Sequence, residues 1–213
     1  MNKQAGFTLI ELAIVLVIIG LLLGGVLRGQ ELINSAKVKN MARDFQNVQV
    51  YMYGYQDRFK VLPGDDHNAA THVAGTNPAN GTQNGVLEGA WDTATAADET
   101  CAIWQHIRLA NLAPGSTAIS CAANNTYQPR NADGGLIGVQ SVSTALPEIT
   151  GLTGTYVVCS DNVLGRFAQQ LDTTLDDGVG NTGNVRVAVP AAAGSTGVAA
   201  PLPGTQYMVC MSF

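Results

Sequence analysis

The spacing of apolar residues along the chain changes twice, and each change marks a different kind of element. From Phe7 to Leu27 the sequence is apolar and glycine-rich, with only Thr8 and Glu11 polar. A helix over this stretch spans about 30 Å, the thickness of a bilayer's hydrocarbon core. A membrane-spanning helix is therefore predicted over 7–28. Further on, Val38, Met41, Phe45, Val48, Met52, Tyr55, Phe59 and Leu62 recur at alternating steps of three and four. That seam predicts an amphipathic helix continuing over 29–60, with one narrow apolar stripe. Pro63-Gly64 then stops it. The stripe suits either a coiled coil with a second chain or packing on the chain's own sheet. The second is preferred, because residues 61–213 need a helix to cover them. Residues 7–60 together would form a helix roughly 80 Å long.

Beyond the seam the pattern breaks up. Leu62 to Ala97 is rich in Gly, Asn, Asp and Thr and reads as irregular loop. Thr95-Ala96-Ala97-Asp98 fits a capping box opening a helix that carries Ile103, Trp104, Ile107 and Ala110 and ends near Pro114-Gly115. A further helix is expected from Ser160-Asp161, with Leu164, Phe167, Ala168, Leu171 and Leu175 on one face and Asp176-Asp177-Gly178 at its end. Strands are expected at Leu136–Val142, Thr155–Cys159, Val185–Val189 and Gln206–Met211, which are rich in Val and Tyr and separated by turn residues. The class is α+β: a long N-terminal helix, transmembrane then amphipathic, packed on an antiparallel sheet head with short helices.

Composition narrows the functions open to such a chain. Charged residues make up 13% of its 213 residues, about half the usual share, and apolar residues 46%, which excludes a disordered polyelectrolyte. Residues 1–60 hold seven bases and four acids, a balance of +3, whereas residues 61–213 hold four bases and twelve acids, a balance of −8. No lysine follows Lys60. A head of that sign repels polyanions, so no nucleic-acid partner is expected.

Glu11 is the anomaly of the apolar segment, since an acid at that depth costs at least ~2.5 kcal/mol and needs a partner. No base lies between Lys3 and Arg28. A cut between Gly6 and Phe7 would remove the basic leader Met1–Gly6 and create an ammonium four residues from the carboxylate. In an assembly Glu11 could then bind the amine of a neighbouring subunit, in a medium of low dielectric. An ordinary secretory signal differs, having a small-residue exit after its apolar part.

Lys3-Gln4-Ala5-Gly6-Phe7-Thr8-Leu9-Ile10-Glu11-Leu12 resembles the class III signal of type IV pilins and of type II secretion pseudopilins. The resemblance implies a pilin-like fold and cleavage by prepilin peptidase after Gly6. It also implies methylation of the new N-terminal Phe7 and a subunit-docking role for Glu11. Leader 1–6, filament-core helix 7–28, amphipathic helix 29–60 and head 61–213 are the segments it implies. The partners would be a membrane before assembly, an inner-membrane platform and motor, and copies of the chain in a helical filament. The location would be the inner membrane as a single-pass precursor, then an extracellular pilus or a periplasmic pseudopilus. Many members carry a proline where this chain has Arg28. Gly20, Gly24 and Gly25 are expected to supply a soft point inside the filament instead, at a cost of ~1 kcal/mol per glycine. Leu62-Pro63-Gly64-Asp65-Asp66, Trp104-Gln105-His106, Leu175-Asp176-Asp177-Gly178 and Gly183-Asn184-Val185-Arg186 resemble longer prepilin-like heads. Three roles stay open: a type IV pilus subunit, which is preferred, a secretion pseudopilin, or a minor tip pilin that binds a surface.

The four cysteines, in a chain that is exported, favour two disulfides. Of three possible pairings, Cys101 with Cys121 and Cys159 with Cys210 is preferred. The first pair flanks one helix-loop unit, and the second sits in the similar strands Tyr-Val-Val-Cys and Tyr-Met-Val-Cys. Each closure would contribute roughly 3 to 4 kcal/mol. Asp172, Asp176, Asp177 and Asn181 place hard oxygen ligands in a glycine-rich loop and suit Ca²⁺; major pseudopilins, which the chain resembles, bind calcium. No other cofactor is expected. Gly178-Val-Gly-Asn-Thr-Gly183 matches a dinucleotide fingerprint only formally, because a strand follows it instead of a helix. His67, His72 and His106 have no zinc spacing with cysteine. No nucleophile elbow appears, so an enzyme is not expected.

Overall fold

The computed structural model describes residues 8–122, 126–143, 148–190 and 194–213. The chain divides into two compact units, Met1–Lys37 and Val38–Phe213. Helix α1, Leu9–Phe59, begins in the first and ends in the second. Within the first unit it is unbroken through Gly20, Gly24 and Gly25 in the single chain; the expected soft point concerns the filament.

In the second unit, α1 lays its seam on the head. Met41, Phe45 and Met52 are each 1% exposed, and Val38, Ala42 and Val48 are buried beside them. They share one core with Ile137, Val139, Val158, Val209 and Met211 of the sheet. The seam therefore packs on the chain's own sheet, the preferred of the two readings. The helix ends where Lys60 turns to φ 60° and its N–H reaches back to Gln56 O.

The sheet has four strands, β1 Ile137–Ser141, β2 Tyr156–Leu164, β3 Val185–Ala188 and β4 Gln206–Ser212, in the order β1-β2-β4-β3 with every pair antiparallel. β1, β3 and β4 lie within one residue of their expected limits, and β2 runs five residues beyond its expected end. Period-two alternation sorts their side chains. Val158, Val187, Val209 and Met211 face the helices, whereas Val157, Cys159, Ala188, Met208 and Cys210 face a second cluster roofed by Trp91, Ile149 and Leu152. Burial on both faces explains why Tyr-Val-Val-Cys and Tyr-Met-Val-Cys lack polar alternation.

Both expected disulfides form. Cys159 and Cys210 are directly opposed in the β2/β4 register, with Cα atoms 4.1 Å apart. Cys101 and Cys121 are 6.0 Å apart and tie a helix to the loop after it.

Three expectations are corrected. The helix after the long loop, α3, is Glu99–Leu109, and the capping box at Thr95 does not form. Asp98 sits at its N-cap but makes no side-chain cap bond; its carboxylate accepts from Thr93 Oγ1 and from Asn80 Nδ2 at 2.6 Å. The helix ends before Pro114, in a Schellman turn. There Asn111 takes φ 60°, and the Asn111 and Leu112 N–H groups donate to Arg108 O and Ile107 O. The last helix, α4, is Gly165–Leu175, not a helix from Ser160. Ser160–Leu164 stays in β2, across a bulge at which Asn162 takes φ 53°. Asp161, expected near the helix start, accepts the Leu136 N–H instead. Lastly, the loop from Leu62 contains a short helix, α2, Ala69–His72, that the sequence pattern did not reveal.

The seam gives a direct test. Phe45→Ala is expected to lower stability by about 3–5 kcal/mol, and Val50→Ala, at a 65%-exposed residue of the same helix, by about 0.5 kcal/mol or less. Urea unfolding in detergent, followed by tryptophan fluorescence, measures both. A midpoint that rises with protein concentration would instead indicate pairing between chains.

Candidate functional site

In the first unit α1 presents apolar side chains to its surroundings: Leu9 is 89% exposed and Leu21 74%. It is the one described helix long and apolar enough to cross a membrane, with mean hydropathy 2.8 in its most apolar stretch. Gly6 and Phe7, the expected processing residues, lie outside the described residues. Glu11 is described, and its surroundings amend the reading of a stranded acid. Glu11 Oε2 accepts the Thr8 N–H and the Thr8 hydroxyl, both at 2.8 Å, and the Glu11 N–H donates to Thr8 Oγ1 at 3.3 Å. This is a capping box at the start of α1. The Thr-x-x-Glu spacing of residues 8–11 is the sequence signal of this box.

Residues 1–27 match the family model described as the prokaryotic N-terminal methylation motif. The chain carries a prepilin-type N-terminus. With the long apolar helix that follows, this motif fits the type IV pilin and pseudopilin group. It points to a structural subunit. It also implies a prepilin peptidase substrate that starts as an inner-membrane precursor and assembles from the membrane into a filament. No curated protein and no solved structure matches the chain.

The head of this prepilin-type chain contains a carboxylate cluster where calcium was expected. Asp172, in the last turn of α4, is fully buried, and neither of its carboxylate oxygens has a hydrogen-bond partner. Asp176 and Asp177, just past the helix end, are exposed and bring their oxygens within 4.8 Å of it. Burial, then the charges of Asp177 and Asp176, push the Asp172 carboxyl up to about 6. Asp176 Oδ2 is held by the N–H groups of Asn184 and Val185 at 2.6 and 3.0 Å. Hydrogen bonds from Thr182 Oγ1 and the Val179 N–H hold Asp177 below the usual carboxylate range. Asn181 is exposed, with its backbone against Gly197. The three aspartates offer oxygen ligands of the type a divalent cation takes.

A second polar region went unread in the sequence. Asp65 and Asp66 bind different partners. Asp66, fully buried, accepts from Tyr55 Oη at 2.7 Å, from His72 Nδ1 at 2.7 Å and from the Asn68 N–H at 2.9 Å. Burial alone would raise its pKa, but these three bonds hold it below the ordinary value. His106 in α3 accepts the Gly64 N–H at Nδ1 (3.0 Å) and donates from Nε2 to Thr76 O (3.0 Å). Burial lowers its pKa, which fits a neutral ring doing both. Gly64 has φ 93°, and a Cβ there would meet Glu99 O at 2.6 Å, so only glycine lets this loop approach α3 so closely. Leu-Pro-Gly-Asp-Asp and Trp-Gln-His thus form one contact. They are far apart in sequence, and no periodicity links them.

The aspartate cluster predicts a reversal. Because the Asp172 pKa is raised above its unfolded value, its stabilising contribution is complete below about pH 4 and lost as the pH rises through about 6. With chelator at pH 7.5, Asp172→Asn is therefore expected to raise the melting temperature by roughly a few degrees. In millimolar calcium the wild-type chain should melt higher than the variant. Differential scanning calorimetry of both chains under both conditions checks this; identical orders of melting would contradict it.

Proposed function

We propose that this chain is a subunit of a type IV pilus serving attachment or motility. It is cut between Gly6 and Phe7 and methylated on Phe7, then assembled through its apolar helix and displayed outside the cell as a filament. The observation that supports this reading best is the contrast along one helix, whose exposed apolar half carries the methylation motif while its later half is sealed into a folded head. Such a surface is stable in lipid or against copies of itself, and transfer between the two is what assembly from a membrane requires.

Glu11 takes part in that transfer. Its capping box with Thr8 uses backbone that cleavage leaves intact, so the carboxylate is already positioned when the Phe7 amine appears. Its exposure in the single chain leaves it open to a neighbour's ammonium. Burial between helices would strengthen that pairing, since the local dielectric falls. The acidic head, −8 over residues 61–213, stays in solvent.

The Cys159–Cys210 bridge, which fastens the last strand to the sheet, favours a pilus over a pseudopilus, because type IV pilins, which the chain resembles, close a C-terminal disulfide loop. The Asp172, Asp176 and Asp177 cluster, with Asn181 nearby, favours the second reading, a calcium-binding pseudopilin. Electron microscopy of a deletion strain, beside an assay of protein export, decides between them. Loss of surface filaments with export intact is the expected result, and the reverse supports the pseudopilin. In the same strain Glu11→Gln is expected to leave processing intact and to cut filament yield by at least about tenfold. That is the loss of one charge-assisted bond of roughly 1.5 kcal/mol per subunit, repeated along a polymer. Wild-type filament yield from Glu11→Gln would sink the docking role.

A further inference from the structure

Asp65, His67 and Glu99 come from two parts of the chain, the loop after α1 and the first residue of α3, yet one ligand atom from each lies within 4.8 Å of the others. His67 Nε2 is 3.2 Å from Glu99 Oε1. Two ligands on one tetrahedral zinc, at bond lengths near 2.0–2.1 Å, stand about 3.3 Å apart. Asp65 is anchored with both oxygens aligned, accepting from the N–H groups of Asn84 (3.1 Å) and Gly85 (2.8 Å).

The 80–89 loop brings a further carboxylate, Glu88, against Glu99. The Glu88 N–H donates to Glu99 Oε2 at 2.8 Å, and Asn84 Nδ2 fixes Glu88 Oε1 at 2.8 Å. Glu88 Oε2 is buried, and the Glu88 carboxylate lies within hydrogen-bond reach of the Glu99 carboxyl. Glu88 Oε2 and Glu99 Oε1 face the same place: a Cβ on Gly81, at φ 93°, would collide with both. Three acids thus converge with a single imidazole as the only base among them. A buried group of this sign is costly without a counter-charge.

We propose that Asp65, His67 and Glu99 form a binding site for a divalent transition metal, Zn²⁺ in the first instance, with Glu88 at its edge. The imidazole nitrogen selects against Ca²⁺ and Mg²⁺, which take oxygen ligands. His67, 29% exposed, is the route by which the ion enters. An ion held here would clasp the loop after α1, the 80–89 loop and the start of α3, a structural role. The assignment stands apart from the pilus reading, because binding is measured without assembly.

The test uses the full-length chain in detergent, stripped with chelator. Isothermal titration calorimetry with Zn²⁺ is expected to show one site of micromolar or tighter affinity. Zn²⁺ should raise the melting temperature, and Co²⁺ should develop a visible absorption band of a nitrogen- and oxygen-ligated ion. His67→Gln and Glu99→Gln should each weaken Zn²⁺ by at least about tenfold. Absence of both heat and Co²⁺ band in the unmodified chain, which involves no variant that could misfold, would overturn the proposal. So would affinity unchanged by His67→Gln, or tighter binding of Ca²⁺ than of Zn²⁺.

Discussion

A bare apolar helix surface cannot remain in water, and the architecture of this chain follows from where that surface is allowed to go. At roughly 1.5–3 kcal/mol per large side chain, burying the exposed leucines, isoleucines and valines between Leu9 and Leu27 is worth tens of kcal/mol. The main core of the head is filled by the seam from Val38 to Met52, with Tyr55 in a smaller cluster. The first half of α1 is apolar enough to cross a membrane, which fits an inner-membrane precursor. The second half is committed to the sheet, and the same helix serves two solvents in succession.

That division sets the demands on the rest. The seam needs a sheet face made of Val and Met. The opposite face then needs its own roof, which Trp91, Ile149 and Leu152 provide from loops. A sheet of four short strands is modest support for the head. The bridge between Cys159 and Cys210, placed where β2 and β4 are in direct register, fastens the last strand to the sheet's longest one. The bridge from Cys101 to Cys121 does the same for α3 and its loop.

Periodicity made much of this legible. The three-four seam and the Val- and Tyr-rich runs gave the helix and the strands, because burial on one face leaves a repeat that short-range inspection detects. Helix starts were misread where acids serve distant partners: Asp98 binds Thr93 and Asn80, and Asp161 binds the Leu136 amide. Locally each looks like a cap, since a cap and a long-range clamp use the same carboxylate. The polar contacts were the least legible. Nothing in spacing brings His67 to Glu99 or Asp66 to Tyr55, as these meet only after the loop has folded over α3. Glu11 has a local partner as well, three residues away, in the capping box with Thr8.

The motif, the exposed helix and the capped Glu11 all bear on one event, conversion of a lipid-held precursor into a polymerising subunit by a cut ahead of Phe7. Intact-mass measurement with N-terminal sequencing of the native polypeptide addresses that event most directly. The account predicts a chain that lacks Met1–Gly6, begins at Phe7 and carries one extra methyl group. A native chain beginning at Met1, with its leader attached, would contradict it.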